Sequence, residues 1–337
     1  MQVVKLKSSL RGGLRRASAT VVLLFLYDLM FNRYLLRSKK PENSGIQAAS
    51  WRSLVIFTTI AGPELSATHS KHVRTVNALR SFESLEATDA VFLVADDKRV
   101  CAEVLLAELG LSKTKCVPSV THSQFLRTTV TFLLSKMQEL TPTGFDALYV
   151  NSDVMLMRNF ELAYRCLKRI SDDYAMTGKR IDYDVASEWD FSDQNFLETM
   201  HRDVEHRGLL HGKYGLDYFL FSKSALKAVA NRFPPFLVGV YRWDNVMLAD
   251  LLLEKDVTVF DASEVTTVIH QGTEVHDHLQ EPGSKYNNEL AAKHIGNSFM
   301  KGNTDNIRFK LVQRGHELAI VPTSVSSNAF ARREPRC

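Results

Sequence analysis

The sequence has few of the residue patterns that mark specialised protein classes. Its 337 residues include four cysteines, none in a C-x-x-C or Cys/His ligand spacing, so a structural zinc site is not indicated. It contains no N-x-S/T sequence, so N-glycosylation gives no information about its compartment. There is no internal repeat and no low-complexity segment. With 45% hydrophobic and 24% charged residues, the composition is that of a globular protein with a sizeable core.

Positive charge is scarce outside the N-terminus. Residues 1–40 carry nine Lys and Arg against one acid, Asp28, which gives +8, whereas the whole chain carries +4, so the rest sums to −4. Binding to a phosphate backbone needs clustered Lys and Arg. The mildly acidic body of the chain therefore argues against nucleic acid as a partner.

A long uninterrupted hydrophobic run is missing. The span 17–36 has an apolar core at 20–27, but Asp28, Asn32 and Arg33 interrupt it, and roughly 20 apolar residues are needed to cross a bilayer. Three interpretations stay open. A signal anchor with a cytosolic basic tail fits the positive-inside rule, an Arg- and Ser-rich segment fits a mitochondrial presequence, and a cleaved signal or surface amphipathic helix is the third.

We expect residues 1–36 to be a basic tail and signal anchor and residues 37–51 a short polar stem. This arrangement would make the protein a single-pass type II membrane protein of the Golgi or endomembrane system, attached to the membrane by its N-terminus. A mitochondrial or cytoplasmic location is the alternative.

Strand and helix patterns alternate along the chain after the stem. Apolar and β-branched runs predict strands, and apolar residues at helical spacing predict helices. In the first half the strands are 54–59, 90–95, 115–118 and 147–150, and the helices 72–85, 100–109 and 124–140. In the second half the helices are 160–170 and 243–253, the strands 174–178, 218–221, 257–260 and 265–270, and a hairpin joins 307–312 to 317–321. The alternation predicts an α/β fold with an open, mostly parallel sheet flanked by helices.

An acidic turn, Asn151-Ser152-Asp153, follows the strand 147–150 directly. In α/β enzymes a carboxylate in this place lies at the carboxyl edge of the sheet, where it can hold Mg²⁺ or Mn²⁺ against substrate phosphates. Asp153 would be the charged ligand, and Asn151 could supply an amide oxygen or contact a ribose. The competing interpretation is a structural turn, in which Asn and Asp bond their own backbone.

Two further segments have both a structural and a chemical interpretation. Gly212 and Gly215 precede a strand and would let the backbone pass close to a phosphate or sugar, although a β-turn explains them equally well. Asp244 opens a helix between Trp243 and Asn245, where it can simply cap free N–H groups. The chemical interpretation makes Asp244 a general base, with Trp243 as an apolar platform for a sugar.

Histidines gather after the strand that ends at residue 269. His270, His276 and His278 lie with Asp277 within nine residues, and imidazole suits Mn²⁺ better than Mg²⁺. Polar histidines in a surface loop are the simpler explanation for any one of them. Further candidates are Asp97 at the end of the second strand and Arg74 and Asn77 on the first helix. A loop turn explains Asp97 more simply, and a helix surface explains Arg74 and Asn77 more simply.

In this order the segments VADD, YVNSDVML, GLDYFLF, WDNVML and TVIHQ resemble the GT-A nucleotide-sugar glycosyltransferases over residues 52–322, with 323–337 as a tail. The resemblance implies that Asp153 and His270 hold Mn²⁺ or Mg²⁺, with His276 in reserve, and that Asp244 is the catalytic acid–base residue. The donor-binding residues would be Thr58, Arg74, Asn77, Asp97, Asn151, Gly212, Gly215, Asp217, Trp243 and Asn245. One position departs from the family: Asn151 stands where the motif has an acid.

The activity that the resemblance implies is transfer of a sugar from a UDP- or GDP-linked donor to a glycan or protein acceptor, and residues 186–210 would be an acceptor-side insertion. A catalytically inert sugar-binding or scaffolding protein is the alternative that Asn151 keeps open. A sugar nucleotidyltransferase is disfavoured, because its Gly-rich basic phosphate loop would follow the first strand, where residues 60–70 contain one Gly and no Lys or Arg.

Overall fold

The structure is a computed structural model of the chain, and it describes residues 53–60, 69–95, 109–122, 124–272, 282–323 and 336. The expectations for the N-terminal anchor and stem, for the loop after the first strand, for Asp97, for a helix at 100–109 apart from its last residue, for His276 and for most of the C-terminal tail lie outside these residues. Within them, every helix is too short or too polar to cross a bilayer.

The described residues form thirteen strands in two sheets. In chain order the strands are β1 (Leu54–Ile60), β2 (Thr88–Ala95), β3 (Thr114–Pro118), β4 (Asp146–Val150), β5 (Val154–Leu156), β6 (Tyr174–Thr177), β7 (Ile181–Tyr183), β8 (Leu209–Leu210), β9 (Tyr218–Phe221), β10 (Thr258–Asp261), β11 (Val268–Gln271), β12 (Phe309–Arg314) and β13 (Glu317–Pro322). The large sheet has the spatial order β13-β12-β10-β6-β9-β4-β1-β2-β3. Strand β9 runs antiparallel to both neighbours and β13 antiparallel to β12, while the other neighbours are parallel. The predicted mostly parallel α/β sheet is confirmed.

The small sheet has the order β5-β11-β7-β8. Strand β11 pairs antiparallel with β5 and parallel with β7. The chain leaves the large sheet at Val150 and enters the small sheet at Val154, so the turn 151–153 is the whole connection between β4 and β5. Asp153 therefore lies where the two sheets meet.

Helices cover the sheets. They are α1 (His69–Ser84), α2 (Val130–Leu140), α3 (Arg158–Ile170), α4 (Gln194–Arg207), α5 (Lys223–Ala230), α6 (Trp243–Leu253) and α7 (Ser284–Ile295), followed by two 3-10 turns at Gly296–Lys301 and Thr304–Asn306. The predicted helices 72–85, 160–170 and 243–253 are confirmed within three residues, whereas α4, α5 and α7 were not predicted.

The predicted helix 124–140 is wrong over its first turns. The helix begins at Val130, because the Thr129 side chain accepts a hydrogen bond from the Phe132 N–H and caps it there. Before it, Leu126 has φ of +53°, and Thr129 forms a β-bridge with Leu237. The β-branched Thr128 and Thr129 suit this extended backbone better than a helix.

The hydrophobic core lies on both faces of the large sheet, and β4 contributes side chains to the cluster on each face. Leu148 and Val150 pack into one cluster, whereas Ala147 and Tyr149 pack into the other, as alternation along a strand requires. Tyr149 shares its cluster with Trp243 of α6. This face of β4 therefore joins the acidic turn after the strand to the start of α6.

Candidate functional site

Asp153 and His270 meet at the junction of the two sheets. Antiparallel pairing sets His270 of β11 opposite Val154, and the Gln271 N–H donates to the Asp153 carbonyl at 3.0 Å. This pairing brings the His270 Nε2 to 3.4 Å from the Asp153 Oδ2. The Asp153 side chain is 44% exposed and that of His270 is 17% exposed, so both remain accessible to a ligand.

The other ring nitrogen of His270 faces the protein. His270 Nδ1 lies 3.1 Å from the Gly272 carbonyl and 3.2 Å from the Asp182 Oδ1, and parallel pairing of β11 with β7 places Asp182 beside it. Because a carbonyl only accepts, Nδ1 must carry the proton and donate it. The lone pair of neutral His270 is then on Nε2, towards Asp153.

A chain of charged and amide groups continues from Asp182 to β4. Arg180 donates to Asp182 Oδ1 at 2.8 Å and to Asp217 Oδ2 at 2.6 Å. The Asn151 Nδ2 donates to Asp217 Oδ1 at 2.8 Å, and the Tyr149 hydroxyl donates to Asn151 Oδ1 at 2.8 Å. An acid at position 151 would place its carboxylate against that of Asp217, and the two negative charges would repel each other. This contact with Asp217 explains structurally why position 151 is an amide.

These contacts change the expected roles of Asn151 and Asp217. Both polar groups of the Asn151 amide and both oxygens of Asp217 already have protein partners, and the Asp217 side chain is only 7% exposed. The two residues support the site from behind instead of presenting a free group to a donor. Asp153 is left as the accessible carboxylate of this turn.

The pKa values of Asp153 and His270 shift in opposite directions. Burial alone would raise the pKa of Asp153, but the hydrogen bond and the charge of His270 outweigh it, so the pKa of Asp153 is lowered. Burial would lower the pKa of His270, but Asp153 outweighs it and raises that pKa. The pair therefore favours a carboxylate facing an imidazolium, and a cation can take the place of the proton on Nε2.

Asp244 lies in the first turn of α6 and is partly buried. Burial raises the pKa of Asp244 to about 7, helped by the negative charge of Asp217 and opposed by the N–H of Asn245. Burial also raises the pKa of Tyr149, to which the charges of Asp153, Asp217 and Asp244 add. The Tyr149 hydroxyl therefore lies within electrostatic range of all three carboxylates.

The two glycines of the predicted loop have different surroundings. A Cβ on Gly215 would lie 2.2 Å from the His211 Cδ2, whereas a Cβ on Gly212 would meet no atom within 4 Å. His211 Nδ1 lies 2.6 Å from the Asp182 Oδ2. Gly215 thus allows His211 to reach the same carboxylate that orients His270.

Four of the predicted donor-binding residues have buried side chains: Thr58, Asn77, Trp243 and Asn245. The Asn77 amide bonds Ser187, Gln271 and Trp189, and that of Asn245 bonds the Tyr214 and Gly302 carbonyls. The Trp243 ring packs edge-on against Tyr149.

Arg74 lies near the end of β11. Its guanidinium would be 3.0 Å from a Cβ on Gly272, and its carbonyl accepts a hydrogen bond from the Gln271 side chain at 2.7 Å. Helix α1 thus brings Arg74 close to the residues that follow His270. Its donor role stays a prediction.

Sequence reasoning missed Arg180, Asp182 and His211. A signal for two of them was present, because Arg180 and Asp182 are two residues apart at a short strand and therefore point to the same face. His211 stands alone in the sequence and becomes significant only when β8 pairs with β7.

A cavity of about 730 Å³ lies away from these residues, and Leu156, Glu161, Phe191, His201 and Arg202 are among its lining. Neither Asp153 nor Asp244 reaches it. Its mixture of acids, bases and apolar groups does not indicate one class of ligand. The candidate site residues Asp153 and Asp244 therefore lie outside this cavity.

No protein-family model matches the sequence, and no curated protein matches it. Solved structures that resemble the chain include nucleotide-sugar glycosyltransferases and nucleotidyltransferases. GalNAc-T7, crystallised with UDP, GalNAc and Mn²⁺, shares 8% identity at a TM-score of 0.43, covering 74% of this chain and 50% of that one. Glucosyl-3-phosphoglycerate synthase from Mycobacterium tuberculosis shares 11% identity at a TM-score of 0.40, and the match covers 76% of this chain and 87% of that one.

A 4-diphosphocytidyl-2C-methyl-D-erythritol synthase from Anaerococcus prevotii DSM 20548 shares 12% identity at a TM-score of 0.37, covering 70% of this chain and 98% of that one. At these scores and identities, the function has to be argued from the residues of the site itself.

Proposed function

We propose that the protein is a glycosyltransferase that moves a sugar from a nucleotide-diphosphate sugar, UDP- or GDP-linked, to a glycan or protein acceptor with the help of a divalent ion. One observation supports this most directly. An ionised carboxylate paired with a histidine lies at the carboxyl edge of the sheet, and a second carboxylate with pKa near 7 lies within electrostatic range of the same network.

Asp153 and His270 fit a divalent ion of the Mn²⁺ or Mg²⁺ type. Their Oδ2 and Nε2 atoms face each other, and Asp182 with the Gly272 carbonyl fixes the ring that carries Nε2. No set of three or more His, Cys, Asp or Glu in the described ranges forms a closed site. A two-ligand site suits an ion that shares its shell with substrate phosphates.

The bound ion would supply charge neutralisation for the departing nucleoside diphosphate. The protein's own residues hold its ligands still. Arg180 links Asp182 to Asp217, so the residue behind His270 and the residue behind Asn151 cannot move independently. Such supporting contacts determine the orientation of the ligands as much as the ligands themselves.

Asp244 is the proton acceptor for the incoming hydroxyl. A general base works best when its pKa lies near the working pH, and burial raises the pKa of Asp244 to about 7. Direct deprotonation of the acceptor by a carboxylate matches an inverting transfer.

We place the protein in the lumen of the endomembrane system, Golgi-like, held by its N-terminal segment as a single-pass type II protein. Cys116 in β3 and Cys166 in α3 are both disulfide-bonded, and disulfides are rare in the cytosol. This supports a lumenal location over a cytoplasmic one. A fluorescent fusion of residues 1–51 that labels mitochondria would contradict it.

A thermal-shift series on the full chain tests the proposed function. UDP, GDP and CMP are each added with and without Mn²⁺, and we expect one nucleoside diphosphate to stabilise the protein only with the metal, since a ligand that binds the folded state raises its stability. Asp153→Asn should lose this stabilisation. The control is Asp256→Asn, which removes an exposed carboxylate before β10.

An inert sugar-binding protein is distinguished by donor hydrolysis. A transferase slowly hydrolyses its donor when no acceptor is present, and Asp153→Asn should abolish that hydrolysis. If the intact chain binds a nucleotide sugar with Mn²⁺ but hydrolyses none of the UDP- and GDP-sugars, the catalytic part of the proposal is wrong.

A further inference from the structure

Arg242 is held in an unfavourable backbone conformation beside the proposed base. It precedes α6, two residues before Asp244, and has φ of +82°. A residue with a side chain seldom adopts this left-handed region, and such strain persists where the surroundings enforce it.

The Arg242 guanidinium rests on two aromatic rings. Its Cζ lies 4.3 Å from the ring centre of Phe299 and 4.9 Å from that of Tyr241. These contacts hold the planar group in one orientation while leaving its N–H groups unused.

Arg242 has no hydrogen-bond or ion-pair partner among the residues that the structure describes, and its Nε is buried without one. Elsewhere arginines are paired: Arg80, Arg165, Arg180 and Arg232 each donate to a carboxylate. A buried N–H without an acceptor is costly. An ordered guanidinium with free donors therefore points to an acceptor group that comes from outside the chain.

The surroundings of Arg242 connect it to the glycine loop. The Asn245 side chain donates to the Tyr214 carbonyl at 3.3 Å and to the Gly302 carbonyl at 2.9 Å, so loop, helix and 3-10 turn meet there. The Tyr214 ring is 43% exposed, and Lys213 is already paired with Asp305 at 2.8 Å. Arg242 is thus an unpaired cation, among the described residues, in a region that also offers an exposed aromatic ring.

We infer that Arg242 binds an anionic group on the acceptor, a uronate carboxylate, a sulfate or a phosphate of a glycan, and so positions the acceptor hydroxyl at Asp244. This inference rests on the proposed glycosyltransferase function. Arg242 lies two residues before Asp244 and contacts Tyr241 and Phe299, which assigns the group to the acceptor and not to the diphosphate of the donor. A guanidinium fork matches the two oxygens of such a group, and an exposed tyrosine suits the face of a sugar ring.

The test is a glycan array probed with the full chain, in which each neutral glycan is matched by sulfated, phosphorylated and uronate-containing versions. We expect the wild-type protein to prefer the anionic member of at least one set, and Arg242→Met to lose about tenfold or more of that preference. The control Arg158→Met removes an exposed arginine at the start of α3 and should retain it. Arg242→Lys, which keeps the charge and loses the fork, should fall between them.

Thermal shift with nucleoside diphosphate and Mn²⁺ distinguishes failure of the Arg242 inference from failure of the proposed glycosyltransferase function. If Arg242→Met keeps the metal-dependent shift and loses the anionic preference, the inference holds. If it instead loses the nucleotide shift, Arg242 binds the donor and the inference is wrong. Equal binding of neutral and anionic glycans by the wild-type protein also overturns it, while the proposed function would still be judged by the nucleotide shift alone. Should Arg242→Met not fold, the array result for Arg242→Lys decides: unchanged preference contradicts the inference.

Discussion

The two sides of the site keep their carboxylates in opposite states. Asp153 faces His270 and lies near Arg180, so its pKa is lowered in spite of burial. Asp244 pairs with no cation among the described residues, and burial raises its pKa to about 7. One carboxylate stays charged and can hold a cation, whereas the other can take up a proton near neutral pH.

The difference has a structural origin. Asp153 lies between two sheets, where neighbouring strands bring His270, Asp182 and Arg180 together. Asp244 lies on a helix above an apolar cluster that includes Trp243, and the N–H of Asn245 only partly offsets its burial. Sheet edges gather charges from distant parts of the chain, whereas a packed helix isolates them.

The largest effect should come from neutralising Asp244. Asp244→Asn keeps the size of the side chain but cannot accept a proton, so turnover should fall by about 10²-fold or more, while binding of the nucleoside diphosphate with Mn²⁺ stays unchanged. Steady-state kinetics and calorimetry measure the two quantities. Normal turnover together with a lower melting temperature would show that Asp244 only caps α6.

Asp182→Asn should weaken metal binding at Asp153 and His270 and leave Asp244 unaffected. Losing the charge behind His270 makes its Nε2 a poorer ligand, and outer-shell changes of this kind cost about 10- to 100-fold in metal affinity. Titration with Mn²⁺ in the presence of the nucleotide measures the change. Asp184→Asn, which removes an exposed carboxylate two residues away, is the matched control, and an equal loss in both variants would contradict the role of Asp182.

Gly212 and Gly215 allow a matched comparison of the free energy of unfolding. Gly215→Ala forces the His211 ring to move and disturbs its contact with Asp182, so unfolding should become easier by about 1–3 kcal/mol. Gly212→Ala adds its Cβ in open space and should be close to neutral. Denaturant unfolding measures both, and equal values would show that His211 moves freely.

The last prediction concerns pH. The pKa of Asp244 rises from 3.8 to about 7 on folding, so the folded state binds the extra proton between these values. Stability from this group is therefore greatest at low pH and declines as pH rises towards about 7. The charged groups that act on Asp244 are Asp217, which raises its pKa, and Arg180, which lowers it. Unfolding curves between pH 5 and pH 8 should show a shallower decline in Asp244→Asn; equal slopes would place Asp244 in contact with water.

Local patterns predicted the elements but not the contacts between them. The strand 147–150 and the helix 243–253 are strongly apolar, and both occur where predicted. The helix 124–140 was predicted too long. Its start is set by the Thr129 cap and by a β-bridge from Thr129 to Leu237, and this bridge depends on tertiary structure. Periodicity gives the type of an element more reliably than its ends.

The same limit applies to the candidate site: single residues could be proposed from the sequence, but the contacts between them could not. Asp153, His270 and Asp244 could be selected as candidates from the sequence because each lies at the end or the start of an apolar segment. Asn77 and Asn245 have similar places in the sequence, yet their amides cross-link buried backbone, and nothing local distinguishes the two cases. Asp182 required the pairing of β7 with β11, which joins residues far apart in the chain.

The short connection between β4 and β5 limits how the protein can change over time. Three residues span the gap between the sheets, and the side-chain direction of a strand alternates with every residue. Inserting or deleting one residue there would turn Asp153 away from His270 or expose the apolar face of β5. Lineages of this protein can therefore lengthen the surface segment before α4, but the link that carries Asp153 should keep its length.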